Sequence, residues 1–389
     1  MRHIVPLVLA ALAILACPIA AQAQRGGGPG TSDPQAAGQL IAADPVTETP
    51  PGMQAWRIRY WTRTEDNRPV ESTGMVVAPR EAGPVRPRNV IAWAHGTSGV
   101  AQACALSTRA DFFTVAPALG DMIRAGYVVA ASDYPGLGTP GPTALLAGQE
   151  TARAVIDAVR AARAIPGAYA GSRFAVWGES QGGHAALWTA AEAGSYAREL
   201  TLVATAAAAP PTDLPRNLAE ASDPNVRALL MAFVSYSWSE RYGVPMGSLF
   251  NPINRGVASR LARNNCVELD ATPRLGTMLG VLAIKEAIRD TDIATVPVWG
   301  DLARRHSVNP RALHGPVLIA QSVADPVVAP QVTRDFAHRV CRTRGLRWIE
   351  LPGGDHARSA ADSATETLAW LADRFAGRRL VNDCRRIPS

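Results

Sequence analysis

The chain has 389 residues, and its 39 lysine and arginine residues against 33 aspartate and glutamate residues give a formal net charge of +6. This excess is modest for the length, and the basic residues are scattered along the chain, so the composition gives no indication of a nucleic-acid partner. No C-x-x-C pair or cluster of histidine and cysteine has the spacing of metal ligands, so no metal site is expected.

The first 50 residues have the features of an export signal followed by a linker. A basic start and a long apolar run lead to Ala21-Gln22-Ala23, the small residues that a signal peptidase accepts, so we predict a signal peptide over residues 1–23. The alternatives are an uncleaved membrane anchor and lipidation at Cys17. Residues 24–50 are expected to be a flexible tether, and the protein is expected to be secreted or periplasmic.

Residues 51–211 carry the pattern of the first part of a mostly parallel α/β core. Alternating apolar and polar residues at 54–64 and 69–77 predict two antiparallel strands. Further strands are predicted at 89–94, 127–131, 173–177 and 200–207, and helices at 111–125 and 145–164. Because helical stretches separate the later strands, right-handed crossovers and a mostly parallel sheet are expected.

Residues 212–312 are predicted to form an inserted helical cap. They contain helical patterns at 225–237 and 277–289 and no clear strand. Two apolar stretches, 229–234 and 278–284, are expected to be core between cap and sheet, with a lipid-facing or acyl-binding surface as the alternative. The core is expected to resume over residues 313–389, with strands at 317–321 and 346–351 and helices at 331–342 and 359–375.

Gly178, Ser180 and Gly182 form a G-x-S-x-G turn between a predicted strand and a predicted helix. In such a turn the serine is held in a strained conformation, and the glycines let the strand and the helix approach closely. The amino terminus of the helix favours negative charge beside the serine. Ser180 is therefore predicted to be a nucleophile, against the alternative of an ordinary glycine-rich turn.

The two partners that a serine nucleophile needs are predicted after the last two strands. Asp325 follows one strand and can orient an imidazole, and His356 follows the next and can act as the base. The chain order Ser180, Asp325, His356 is that of α/β-hydrolases. Asp355 is a rival for the acid, but adjacent residues point in different directions, so we expect it to be a turn residue. His184 is expected to pack beneath the site.

A tetrahedral oxyanion needs a pair of hydrogen-bond donors. The backbone N–H of Gln181, directly after the nucleophile, is predicted to be one of them. The other is expected from residues 95–99, which read H-G-T-S-G after an early strand. Thr97 N–H is the preferred second donor, with Gly96 or Gly99 as alternatives.

An even number of cysteines in an exported chain indicates disulfides. Without Cys17, four remain, and they allow three connectivities. A bond between Cys341 and Cys384 would tie the tail to the body of the protein, and it would leave Cys104 to pair with Cys266.

The chain contains a set of five motifs: H-G-T-S-G at 95–99 with Cys104 shortly after it, S-D-Y-P-G-L-G at 132–138, G-E-S-Q-G-G-H at 178–184, D-P-V at 325–327 and G-D-H at 354–356. This set resembles the motifs of the secretory lipase family, the lipase-A-like α/β-hydrolases with a helical cap. The resemblance runs from about residue 50 onward. It implies hydrolysis of carboxylic esters including acylglycerols, some acyl transfer, no cofactor, and the two disulfide pairs named above. Residues 133–138 are expected to be a structural loop near the site mouth.

The resulting prediction is a secreted serine esterase or lipase that acts on acylglycerols or other short to medium acyl esters. A peptidase or an aromatic-ester esterase on the same fold is the alternative, because a triad does not choose between amide and ester. A non-catalytic binding protein on this scaffold is disfavoured because both Ser180 and His356 are present. The expected partner is an ester or lipid, and the cap offers a surface for transient contact with a lipid–water interface.

Overall fold

The computed structural model describes residues 35–80, 86–267, 273–353 and 355–388. The predicted signal peptide, residues 1–23, lies outside the described residues, as do Cys17 and the first part of the predicted tether.

One sheet organises the described part of the chain. Its strands are β1 (Leu40–Val46), β2 (Met53–Arg63), β3 (Pro69–Pro79), β4 (Arg88–Ala94), β5 (Val128–Ser132), β6 (Ala170–Glu179), β7 (Thr201–Ala208), β8 (Val317–Ser322) and β9 (Leu346–Leu351). They lie in the order β1-β2-β3-β5-β4-β6-β7-β8-β9. The pairs from β1 to β3, and β3 with β5, are antiparallel, whereas every pair from β5 to β9 in that order is parallel. The predicted mostly parallel sheet is confirmed.

Helices cover both faces of this sheet. The described α-helices are α1 (Phe112–Val115), α2 (Leu119–Arg124), α3 (Gly148–Arg163), α4 (Gln181–Tyr196), α5 (Leu214–Glu220), α6 (Pro224–Tyr242), α7 (Pro252–Asn264), α8 (Leu275–Ala287), α9 (Trp299–His306), α10 (Pro330–Cys341), α11 (Ser359–Asp362) and α12 (Ala364–Phe375). Side chains of β4 alternate between two apolar clusters: Ile91 and Trp93 pack with α2 and α12, and Val90 and Ala92 pack with α3 and α4. Burial on both faces explains the continuously apolar strands.

The predicted tether is wrong over residues 40–46. These residues form β1, which pairs in antiparallel fashion with β2 at the edge of the sheet. Leu40 and Ala43 pack against one apolar cluster and Val46 against the other. These contacts and the backbone hydrogen bonds to β2 fix the segment as a strand. The polar residues on either side of it are the reason why the sequence pattern did not indicate a strand.

Two predicted helices have different bounds in the structure. The helix predicted at 111–125 is divided into α1 and α2, because Pro117 interrupts the helix and Ala118 takes a left-handed φ of 52°. The helix predicted at 145–164 begins only at Gly148, after Leu146 with a φ of 54°. The closing helix is divided at Ser363 into α11 and α12.

Helices α5 to α9 fill the interval between β7 and β8. Their shared core includes the buried side chains of Phe233, Trp238 and Trp299. The apolar stretch at 229–234 contributes to this core as expected. The stretch at 278–284 contributes Ile284 and the partly buried Val281, and its other large apolar side chains are exposed. Among the described residues, no helix combines the length and the apolar character needed to cross a membrane.

Candidate active site

The turn between β6 and α4 holds Ser180 in a strained conformation. Ser180 has a φ of 53° and a ψ of −121°, outside the regions that residues with a Cβ usually adopt. Close backbone packing explains the flanking glycines: a Cβ on Gly178 would lie 2.1 Å from the carbonyl oxygen of Gly182, and a Cβ on Gly182 would lie 1.8 Å from that of Ala94. The predicted strand–turn–helix geometry is present, with Ser180 directly before the first residue of α4.

Ser180, His356 and Asp325 form a continuous hydrogen-bonded chain. His356 Nε2 lies 2.8 Å from Ser180 Oγ, and His356 Nδ1 lies 2.7 Å from Asp325 Oδ2. With its proton on Nδ1, the imidazole donates to the carboxylate and leaves Nε2 free to accept the hydroxyl proton of Ser180. The three side chains meet because β6, β8 and β9 are parallel, so the loops after their carboxyl ends lie along one edge of the sheet.

Both carboxylate oxygens of Asp325 accept hydrogen bonds. Its side chain is inaccessible to solvent, and Oδ1 accepts the backbone N–H groups of Val327 and Val328 at 2.8 and 2.9 Å. Oδ2, which faces His356, also accepts the side-chain amide of Gln321 at 3.1 Å. These donors fix the direction in which the carboxylate receives the imidazole.

The loop at residues 95–99 lies beside the serine. A Cβ on Gly96 would lie 3.7 Å from Ser180 Cβ. Tyr134 holds this loop, because its hydroxyl donates to the carbonyl oxygen of His95 at 3.0 Å and the two rings lie 4.7 Å apart. The N–H of Gln181 begins α4, where backbone donors have no partner within the helix. Thr97 and Gln181 thus belong to the two segments that flank the nucleophile.

The rivals for the acid and the base have other partners. Asp355 accepts the backbone N–H of Ala357 at 2.9 Å and begins a short 3-10 helix at His356–Arg358. His184 is fully buried, and its Nε2 donates to the carbonyl oxygen of His306 on α9 at 2.7 Å. The side chain of His184 therefore links α4 to the helical insertion, and its backbone N–H donates to the carbonyl oxygen of Ser180 at 3.0 Å as part of the helix.

The loop at residues 133–138 has a structural role. Asp133 is buried and accepts the backbone N–H of Ser107 and the hydroxyl of Thr73, both at 2.8 Å. Its carboxylate thereby joins the loop to β3 and to the turn that follows Cys104.

Two disulfides connect Cys104 to Cys266 and Cys341 to Cys384. This is the pairing that the position of Cys341 and Cys384 favoured among the three connectivities. The Cys104–Cys266 bond lies next to the loop at residues 95–99, because Gly99 forms a backbone bridge with Cys266.

Sequence reasoning missed Gln321 and Tyr134 as supports of the site. Gln321 is the second-last residue of the buried strand β8 and lies four residues before Asp325. A buried amide needs hydrogen-bond partners, and this is the available signal in the sequence. Tyr134 lies in the D-Y-P-G motif, but no local pattern indicates that its hydroxyl reaches His95.

Comparisons with known proteins show that this chain is similar to lipases. The family model for secretory lipases matches residues 99–383. Lipase 10 of Candida albicans is 22% identical over 363 residues, which cover 85% of this chain and 74% of the relative. Lipase A of Moesziomyces aphidis is 35% identical over 85 residues, which cover 22% of this chain and 18% of the relative.

Solved structures share the fold over most of the chain. Candida antarctica lipase A in its closed state has a TM-score of 0.72 at 20% identity, covering 91% of this chain and 86% of that one. The rice cell wall degrading esterase LipA from Xanthomonas oryzae has a TM-score of 0.68 at 19% identity, covering 88% of this chain and 100% of that one. The predicted α/β-hydrolase fold is confirmed.

Proposed function

Since this chain belongs to the secretory lipase family and is a carboxylic ester hydrolase, we propose that it cleaves acylglycerols or other short to medium acyl esters with the triad Ser180, His356 and Asp325. The substrate is an ester or lipid. The observation that carries the triad is the unbroken chain of contacts from Ser180 Oγ through the imidazole to Asp325 Oδ2.

In the acylation step, Ser180 Oγ attacks the ester carbonyl carbon while His356 Nε2 takes the hydroxyl proton. Asp325 stabilises the imidazolium that forms and keeps the ring in the orientation that the attack requires. His356 then protonates the leaving alcohol, and the acyl group remains bound to Ser180. Water, deprotonated by the same imidazole, releases the acid and restores the serine.

The oxyanion of each tetrahedral intermediate is proposed to accept the backbone N–H groups of Thr97 and Gln181. The position of Gly96 against Ser180 and the place of Gln181 at the start of α4 support this assignment. Removal of one such donor costs about 3 kcal/mol of transition-state stabilisation in comparable sites.

Residues 212–312 are proposed to form a cap that makes transient contact with a lipid–water interface. On α8, Leu275, Met278, Leu279 and Leu282 are 46–69% exposed, and their spacing places them on one face. A row of exposed leucine and methionine side chains is costly in water and binds readily to lipid. Leu279→Glu combined with Leu282→Glu is expected to lower turnover of a tributyrin emulsion severalfold and to leave soluble p-nitrophenyl acetate turnover unchanged. Equal turnover of the emulsion by the wild type and by the double variant would contradict contact between the cap and the lipid–water interface.

Export through a signal peptide cut after Ala23 is also proposed. The family model and the two disulfides support an oxidising destination. Amino-terminal sequencing of protein recovered from the medium or periplasm of an expressing bacterium should begin at Gln24. Unprocessed protein confined to the cytoplasm would contradict the proposal.

The test of the reaction is hydrolysis of p-nitrophenyl esters from acetate to palmitate, with an amino-acid p-nitroanilide beside them. We expect ester turnover that Ser180→Ala abolishes together with labelling by a fluorophosphonate probe. Ser195→Ala is the matched control, because Ser195 is an exposed serine on the same helix. Labelling that survives in Ser180→Ala would reject this nucleophile, and turnover of the anilide alone would favour a peptidase.

A further inference from the structure

Glu179, the residue directly before Ser180, contacts the segment that carries His356. Its Oε1 accepts the backbone N–H of Ala360 at 2.9 Å, across 181 residues of sequence. Ala360 is fully buried in α11, which follows the 3-10 helix at His356–Arg358 without a break. The nucleophile and the base are therefore connected by a second route, separate from their direct contact.

We propose that Glu179 is a positioning residue, whose ionised carboxylate holds the segment at residues 356–362 against the turn at Ser180 and favours the charged imidazole during the reaction. This inference rests on the proposed roles of Ser180 and His356.

The hydrogen bond acts on the base through a rigid connection. The first N–H groups of a helical segment have no partner inside the helix and need an acceptor. Asp355 supplies one for Ala357, and Glu179 supplies one for Ala360. Because successive helical turns join Ala357 to Ala360, the two carboxylates together determine where the backbone of His356 lies. An anionic acceptor makes the bond shorter and stronger than a neutral one.

The charge of Glu179 also acts on the imidazole. Although the residue is partly exposed, protein atoms surround its carboxyl group, and this desolvation raises the pKa of Glu179 to about 7. The Ala360 N–H and a charged His356 oppose that rise in pKa, whereas the carboxylates of Asp355 and Asp325 add to it. The attraction is mutual, so ionised Glu179 stabilises the imidazolium that forms when Ser180 attacks. As the pH falls below about 7, the carboxyl group takes up a proton and both effects weaken.

The experiment compares the pH dependence of kcat/KM for the wild type and Glu179→Gln on a soluble p-nitrophenyl ester. In the wild type we expect an acid limb that needs two deprotonations, one on His356 and one on Glu179. In the variant, which keeps an amide oxygen for Ala360 but has no charge, the limb should need only one. Above pH 8, we expect kcat of the variant to fall about tenfold with KM within about twofold of the wild type.

Three controls keep the outcomes distinct. Glu350→Gln removes an exposed carboxylate from β9 and should leave the acid limb and the kcat above pH 8 unchanged. Thermal unfolding of each protein shows whether a loss of turnover comes from instability. The pH profile of the wild type tests the proposal even if the Glu179→Gln variant does not fold. An acid limb with a single deprotonation in the wild type, or a Glu179→Gln enzyme with the wild-type kcat, would overturn the role of Glu179. Loss of all ester turnover in the wild type would instead reject the proposed function.

Discussion

Ser180 Oγ and His356 Nε2 lie 2.8 Å apart, although 176 residues separate them along the chain. The serine follows β6 and the histidine follows β9, and two further strands lie between these in sequence and in the sheet. Parallel strands bring all their carboxyl ends to one edge, so loops from distant parts of the sequence meet there. The site therefore depends on the order and register of the strands, which makes it sensitive to substitutions that leave the three side chains intact.

Asp325→Asn is expected to lower kcat by about 10³- to 10⁴-fold with little loss of stability. The amide cannot accept hydrogen bonds at both of its terminal atoms, whereas Asp325 accepts backbone N–H groups at Oδ1 and the imidazole at Oδ2. Steady-state kinetics on the best p-nitrophenyl ester measure the effect. Asp355→Asn is the matched control, because asparagine keeps an oxygen for the N–H of Ala357. A larger loss in the control would make Asp355 the acid.

Gly182→Ala is expected to destabilise the protein by about 3 kcal/mol or to prevent folding, because its Cβ would overlap the backbone of Ala94. Urea unfolding monitored by circular dichroism measures the difference in the free energy of unfolding between the variant and the wild type. Gly194→Ala lies on the same helix with nothing within 4 Å of the added atom, so it should stabilise by about 0.5–1 kcal/mol. Similar stability of the two variants would show that the turn can relax away from β4.

Removal of the Cys104–Cys266 disulfide by two alanine substitutions is expected to lower both stability and turnover. The bond anchors the loop at residues 95–99, since Gly99 bridges Cys266 and the N–H of Val267 donates to the carbonyl oxygen of Ser98 at 2.8 Å. We expect a loss of about 2–5 kcal/mol and a fall in kcat of about tenfold.

The second disulfide provides the comparison for that experiment. Alanine at Cys341 and Cys384 removes a bond in the tail, far along the chain from the loop at residues 95–99. Its loss should lower the unfolding temperature and leave kcat unchanged below that temperature. Equal effects of both deletions on kcat would mean that the Cys104–Cys266 bond has no special influence on the loop.

His306→Phe is expected to make the protein less sensitive to acid. Burial, together with the smaller effects of the charges of Arg305, His184 and Arg241, lowers the pKa of His306 to about 3. An unfolded histidine with a pKa near 6.5 takes up a proton that the folded state resists. Stability therefore falls as the pH drops from about 6.5 toward 3, by up to about 1.4 kcal/mol per pH unit for this residue.

Melting temperatures at pH 7.5 and pH 4.5 test this effect. Phenylalanine keeps the ring packing against Tyr242 and Trp238 and keeps the carbonyl oxygen that accepts from His184. The difference between the two melting temperatures should be smaller in the variant than in the wild type. His314→Gln replaces an exposed histidine and should leave the difference unchanged. A variant that loses as much stability in acid as the wild type would show that His306 does not govern the response.

Local patterns predicted most elements because their causes are local. The antiparallel pair β2 and β3 followed from alternating residues, and the turn at Ser180 followed from two glycines at fixed spacing. The break of the predicted helix at Pro117 also has a local cause. Two other errors occurred where contacts with distant residues decide the outcome. Residues 40–46 become a strand only because β2 pairs with them, and the apolar face of α8 is exposed because no other described element covers it.

From the amino-acid sequence alone, the kinds of element, their order and the residue types of the site could be derived, since periodicity, glycine spacing and chain order are properties of the sequence itself. Only the tertiary structure determined that Ser180, His356 and Asp325 touch, that Gln321 contacts Asp325 and Glu179 contacts Ala360, and which cysteines pair. These relationships depend on strand order and register, which arise from packing between residues far apart in the chain.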